Sequence, residues 1–215
     1  MIILFDLDGT LIDSTEAILE SFHNSYDIYG EKHPEDKEIK ALIGHPLDVM
    51  YRELGVDEHK IWDYVDTYKE HYRKISTQKT SLLPKAKEAI ELASSFAKLG
   101  IVTTKTGKYS QILMEHFGVM DKFEVLVGRE HVEHPKPDAE PILKALETFD
   151  TNNKEIWMIG DTQMDLLAAL NAEINSIGVL SGYDSKTALK KHTNVITRDS
   201  LEAVSYLQSR KSSHF

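Results

Sequence analysis

The sequence predicts an α/β protein: a doubly wound, mostly parallel sheet interrupted after its first strand by an all-helical insertion. Three observations predict it. The chain opens on an unbroken apolar run, Ile2 to Phe5, without the polar alternation of a half-exposed strand, as expected of a strand buried on both faces. From residue 100 onward, short apolar runs alternate with helix-length amphipathic segments, the pattern of successive βα units. Between these regions, residues 12–99 carry no strand signal. The expected core is therefore residues 1–13 and 81–215, and the helical insertion is residues 14–80.

Each element has its own justification. Asp13 and Glu16 have capping-box spacing, and Ile18, Leu19, Phe22 and Tyr26 follow at helical intervals, which predicts a helix over about 14–26. Residues 35–78 are helical in pattern, broken at Gly44-His45-Pro46 and at Gly55. The longest of these segments, 58–75, sets Ile61, Val65, Tyr68 and Tyr72 on one face, and its tyrosines, Tyr64 included, read as packing residues. Strands are then predicted at 101–103, 123–127, 156–159 and 176–180, with helices near 109–117, 139–149 and 164–171 and a closing βα pair over 194–207. The polar tail from Ser209 is expected to fray.

Composition narrows the function classes. At 215 residues the chain suits one core with a smaller insert. The absence of cysteine excludes disulfides, thiolate metal sites and a cysteine nucleophile. Acidic residues outnumber basic ones 35 to 25, a formal charge of −10, which disfavours nucleic acid as a partner. No segment approaches the roughly 20 apolar residues of a membrane span. The first residues lack the basic start and cleavage site of a secretory leader, so a cytoplasmic protein is expected.

Chemistry concentrates where the strands end. Asp6 and Asp8 follow the first apolar run at a spacing that can point both side chains one way, and open α/β sheets place ligands at their carboxyl ends. Such a pair can bind a hard cation, attack an electrophile or move a proton. Asp8-Gly9 is equally a common turn dipeptide. Thr103 and Thr104 supply hydroxyls and backbone N–H groups suited to phosphate oxygens, although threonine also favours strands. Lys136, set between Pro135 and Pro137, has little backbone freedom, and an aimed ammonium can neutralise charge developing on a phosphoryl group. Asp161 and Asp165 close the next apolar run and share a side if a helix begins at Thr162; N-capping by Asp161 is compatible with that.

The order of acid pair, hydroxyl, lysine and second acid pair resembles the haloacid dehalogenase-like superfamily, specifically its phosphoglycolate phosphatase-like hydrolases with a helical cap. Asp6-Leu7-Asp8-Gly9-Thr10 matches the first motif, Thr103 the second, Lys136 before Pro137-Asp138 the third, and Gly160-Asp161-Thr162 with Asp165 the fourth. Gly178-Val179 and Gly182-Tyr183 resemble the last strand and loop, and residues 14–80 match the cap in position and helical character. The resemblance implies a Rossmann-like core and a phosphatase mechanism. Asp6 would be the nucleophile that forms an aspartyl phosphate, and Asp8 the general acid and base. Mg²⁺ would lie between the Asp6 carboxylate, the Asp8 backbone carbonyl and Asp161, supported by Asp165. Lys136 would screen the two anions, while Thr103 and the backbone N–H groups of Leu7, Asp8 and Thr104 would hold the nonreacting oxygens. Dehalogenases of the superfamily lack a carboxylate at the position of Asp8, so its presence argues for phosphoester chemistry.

Some positions depart from the family pattern. Leu170 and Glu173 stand where a basic residue and a glycine are usual, and Leu83-Pro84-Lys85 where Tyr-Pro-Gly is usual. Gly44-His45-Pro46 resembles the substrate-facing cap loop, which makes His45 a candidate contact, although a lone histidine at a helix break is often solvated. His131 and His134 lack a third ligand at metal spacing, and Lys186, Lys190 and Lys191 read as a solvated basic face. The expectation is a small phosphorylated metabolite as substrate, phosphoglycolate leading, and a monomer or dimer without membrane or nucleic-acid partners. A pyrophosphatase, a nucleotidase, a hexose-phosphate mutase and a noncatalytic phosphometabolite-binding protein are the alternatives.

Overall fold

In the computed structural model, which describes residues 1–212, the strand Ile2–Phe5 (β1) runs through the middle of a six-stranded sheet. On one side of it lie Lys98–Val102 (β4) and Val125–Val127 (β5), and on the other Ile156–Gly160 (β6), Asn175–Val179 (β7) and Ile196–Thr197 (β8). Every neighbouring pair is parallel. Ile2 pairs with both Lys98 and Ile156, and Phe5 with both Ile101 and Ile159. The chain leaves β1, builds β4 and β5 outward, then returns to place β6 on the other side of β1. That reversal opens a crevice at the carboxyl end of β1.

Side chains of β1 alternate between two apolar layers, as a pleated strand requires. Ile3 and Phe5 enter a layer closed by the helices Ala86–Ser94 (α5), Gly107–His116 (α6) and Ser200–Ser212 (α10). Ile2 and Leu4 enter the opposite layer, closed by Glu140–Leu146 (α7) and Gln163–Asn171 (α8). Lys186–Leu189 (α9) is a short link after β7. The doubly wound sheet read from the sequence is the fold observed, and no helix among the described residues is long and apolar enough to cross a membrane.

The insertion has its own core. Thr15–Ile28 (α1), Asp36–Lys40 (α2), Leu47–Glu53 (α3) and Ile61–Ile75 (α4) enclose a third apolar cluster rich in aromatic rings, including Phe22, Tyr51, Tyr64, Tyr68 and Tyr72. Both connections to the sheet run side by side, because Ile12–Asp13 (β2) and Ser81–Leu82 (β3) form a two-stranded antiparallel ribbon.

Several expectations are corrected. β2 and β3 lie inside the stretch expected to hold no strand, and β4 begins at Lys98, so Thr103 stands just past its end. α5 was not anticipated, since three of its four buried residues are alanines, a weak apolar signal. Asp13 is not part of a capping box: Ser14 is the N-cap of α1, and Asp13 Oδ1 accepts from the Thr15 N–H at 3.0 Å. α4 starts at Ile61 because residues 57–60 form a turn, with Lys60 N–H donating to Asp57 O. The tail expected to fray is helical through Ser212, and residues 213–215 lie outside the described residues.

Candidate active site

The crevice is floored by the loop after β1. The Leu7 carbonyl accepts from the amides of Thr10, Leu11 and Ile12 at 3.1, 2.8 and 3.0 Å, which folds residues 7–12 into a tight turn and fixes the carboxylates on either side of Leu7. Gly9 makes the turn at φ +80°, and a Cβ there would lie 2.4 Å from Asp161 Oδ2. Glycine is therefore required twice over, by backbone conformation and by close approach.

Four of the strand-end residues converge. Lys136, arriving from the loop before α7, places its buried Nζ 2.8 Å from Asp6 Oδ1, 2.5 Å from Asp165 Oδ1 and 3.0 Å from the Val102 carbonyl. Asp6, Asp161 and Asp165 bring carboxylate oxygens within 4.8 Å of one another, and all three are buried. Thr10 Oγ1 and the Tyr183 N–H each donate to Asp161 at 2.9 Å. Asp161 is not the N-cap of α8. Thr162 holds that place and forms a capping box with Asp165, whose Oδ2 accepts from Thr162 N–H at 3.0 Å.

Three buried carboxylates against one ammonium leave the cluster short of positive charge. Burial pushes the Asp6 carboxyl up to about 7 despite the pull of Lys136. Burial, then Asp165 and Asp6, push Asp161 well above the usual carboxylate range. For Lys136, burial favours the neutral amine, but Asp165 and Asp6 reverse this and hold it above the usual lysine range. An all-oxygen donor set with excess negative charge, at the mouth of a crevice, fits a hard divalent cation.

Thr103 and Thr104 line the same mouth. The buried Thr103 hydroxyl accepts from the Lys105 N–H at 3.2 Å, and Thr104 Oγ1 donates to the Gly44 carbonyl of the insertion at 3.1 Å. Leu7 contributes backbone here, because its side chain is wholly buried in the sheet layer. Asp8 lies apart from the carboxylate trio. Ser14 Oγ donates to its Oδ1, and Lys105 Nζ sits 3.1 Å from its Oδ2.

Lys105, Ser14, Thr10 and Tyr183 were not among the sequence candidates. Lys105 is almost fully buried, donates to Tyr72 Oη at 3.1 Å and lies 4.5 Å from the centre of that ring. Burial lowers its basicity, and Asp8 and Tyr72 more than restore it, so it too stands above the usual lysine range. The signal available was its place two residues after Thr103. Tyr72 is both a packing residue of the insertion and the partner of a core lysine.

Beyond Asp8, between core and insertion, lies a cavity of about 280 Å³. Asp8, Lys105, Arg129 and Glu130 line its core side, and His45, Met50, Tyr68 and Lys69 are among the residues on the opposite wall. His45 thus faces the cavity edge and not the carboxylate cluster. Glu130 is tied back to the start of α6, accepting from the Gly107 and Lys108 N–H groups at 2.7 and 3.2 Å. Burial raises its carboxyl, but these amides win and hold it below the usual range.

Comparison with known proteins sets this geometry in context. The sequence matches the haloacid dehalogenase-like hydrolase family over residues 3–179. It is 32% identical over 182 residues to pyrophosphatase PpaX of Halalkalibacterium halodurans, covering 84% of this chain and 83% of that protein. A haloacid dehalogenase-like family hydrolase of Streptococcus pneumoniae superposes with a TM-score of 0.86 at 27% identity, covering 96% of this chain and 97% of that one. A structure from Clostridium acetobutylicum, named a predicted phosphatase, gives 0.87 at 25% identity, covering 97% and 98%.

Proposed function

The chain belongs to the haloacid dehalogenase-like hydrolases, and on that premise we propose that it is a Mg²⁺-dependent phosphatase of a small phosphorylated metabolite. The observation that carries this reading is the buried constellation at the carboxyl end of β1. Lys136 bridges Asp6 and Asp165 there, and Asp161 stands beside them.

Asp6 is the nucleophile. Its Oδ1 is held by Lys136, so the carboxylate is fixed in direction before substrate arrives. Attack forms a bond from Asp6 oxygen to phosphorus while the bond from phosphorus to the leaving oxygen breaks. That oxygen keeps the bonding pair and takes a proton from Asp8. Asp8 then removes a proton from the water that opens the aspartyl phosphate, returning both residues to their starting states. Thr103 and the amides of Leu7, Asp8 and Thr104 hold the nonreacting oxygens. Asp6, Asp161 and the Asp8 backbone carbonyl, with Asp165 behind them, would hold Mg²⁺. The bound ion supplies charge neutralisation between carboxylate and phosphate. Lys136 adds a second, permanent positive charge at the same place.

Phosphoglycolate is the first substrate to test, by the resemblance of the motifs. The similarity to pyrophosphatase PpaX favours a second reading, in which the leaving group is itself phosphate and the enzyme is a pyrophosphatase. Phosphate release from phosphoglycolate, pyrophosphate, nucleotides and sugar phosphates, with Mg²⁺ and with chelator, decides between them. Chelator-sensitive turnover of one or a few members is the expected result. No release from any of them by folded protein in Mg²⁺ would overturn the phosphatase reading.

A further inference from the structure

We propose that the cavity beyond Asp8 is a leaving-group pocket for a phosphomonoester whose organic body is apolar and ends in its own anion, and that Lys69 selects that anion. The proposal rests on the phosphatase reading above and names the substrate class of the same site.

Direction comes first. Asp6, Asp161 and Asp165 gather on the sheet side, and none of them lines the cavity. Asp8, whose carboxyl serves the leaving oxygen in that reading, does line it. The group attached to that oxygen therefore extends from Asp8 into the cavity. The volume comes next. At about 280 Å³ the space approaches the lower end, ~300 Å³, of pockets that hold organic ligands. A phosphate or glycolate leaving group would fill only a fraction of it and leave the rest to water. The walls also disfavour that filling, because Ile18, Ile43, Met50, Val65, Tyr68 and Tyr109 present carbon to it, and an apolar body gains by displacing water from such walls.

Charge decides the rest. Three acids line the cavity, and two of them are engaged, Asp8 by Ser14 and Lys105, and Glu130 by the α6 amides. The third, Asp48, sits one residue after Leu47 at the start of α3. Of the cations, Lys105 is committed to Asp8 and Tyr72, and Arg129 donates through Nη1 to the Val132 carbonyl at 3.0 Å. Lys69, on α4, is half-buried and has no hydrogen-bond or ion-pair partner among the described residues. A lysine at the cavity wall with neither a counter-ion nor a hydrogen-bond partner has all its donors available to a ligand anion.

The test compares kcat/KM for phenyl phosphate, its meta- and para-carboxylated forms and pyrophosphate, all with Mg²⁺, in the wild type, Lys69→Met and Lys69→Arg. One charge-assisted contact corresponds to about a tenfold preference, so the wild type is expected to favour a carboxylated ester over phenyl phosphate by that factor. Lys69→Met should bring the ratio near one, and Lys69→Arg should retain it. Equal wild-type rates on charged and uncharged esters, or a preference that survives in folded Lys69→Met, would overturn the assignment. Turnover of pyrophosphate without any aryl ester would overturn it while sparing the phosphatase reading. No turnover of any substrate would count against both, and the metabolite panel above then shows whether the chemistry itself fails.

Discussion

Asp8 joins three parts of the chain: its own loop after β1, Ser14 at the entry to the insertion, and Lys105 after β4. Asp6, two residues earlier, sees only core partners. The two carboxylates therefore differ in environment, as the nucleophile and acid–base roles proposed for them require. Asp6→Asn should lower kcat by ~10³-fold or more, as loss of a nucleophile does. Asp8→Asn should cost about 10²- to 10⁴-fold, the range of a missing general acid. Steady-state kinetics check both, with thermal melts to establish folding. The pH behaviour of the metal-free protein follows from Asp6. Its folded-state value is raised from 3.8 to about 7, so its contribution to stability is present below the lower value and is lost as pH rises through the higher one. Mg²⁺ requires the ionised carboxylates and competes with protons below that point. The rise in Tm on adding Mg²⁺ should accordingly be larger at about pH 8 than at about pH 5, by several degrees in differential scanning. Equal rises at both would contradict this. Asp6, Asp8, Thr103 and Asp161 were legible because each follows an apolar strand, Asp165 by its helical spacing from Asp161, and Lys136 because prolines flank it. Lys105 was not, because its role depends on Tyr72, which only the folded insertion brings to it.

Among the elements, α8 shows how a departure from family pattern is accommodated. Glu173 takes φ +56° just past the helix, with its N–H on the Leu170 carbonyl and the Ile174 N–H on that of Ala169. This is a Schellman closure, which favours glycine at that place, and an acid there also faces the negative end of the helix. Glu173→Gly relieves both effects at the cost of a freer unfolded chain, for a net gain of about 1 kcal/mol. Urea denaturation should show it as a higher midpoint with unchanged slope. Lys85, the other departure, has φ +66° at the start of α5, so both unusual residues keep a glycine-like backbone. Helices with strong apolar stripes and strands with continuous apolar runs were legible in the sequence. β2 and β3 were not, since two residues cannot display a period, and strand ends shifted where pairing partners set the limit, as at β5, which pairs with β4 only over Val125–Val127.

At the scale of the molecule, two apolar layers flank the sheet, and the buried residues of a third all belong to the insertion, with Tyr109 and Tyr183 of the core packed against it. Its side-chain contacts with the core include Thr104 with Gly44, Lys105 with Tyr72 and Thr15 with Tyr183. Separate cores joined by a few polar and aromatic contacts should open separately. Hydrogen exchange is expected to give α1 and α4 a common opening energy below that of β1, β4 and β6. A single shared value for all five would show that insertion and sheet unfold as one. The α/β class and the place of the insertion were visible in the order of apolar runs, whereas the contacts that seat the insertion on the core come from loops with no periodic signal. The central position of β1 also bears on how the protein is made. Its partners β4 and β6 end at Val102 and Gly160, so on the ribosome β1 must wait for the last of them. At ~5–20 residues per second, that interval is roughly ten to thirty seconds. Until β4 emerges Ile2–Phe5 has no partner strand, and until β6 follows it lacks one of the two, which makes it a natural client for a chaperone at the tunnel exit, while the four helices of the insertion are already synthesised.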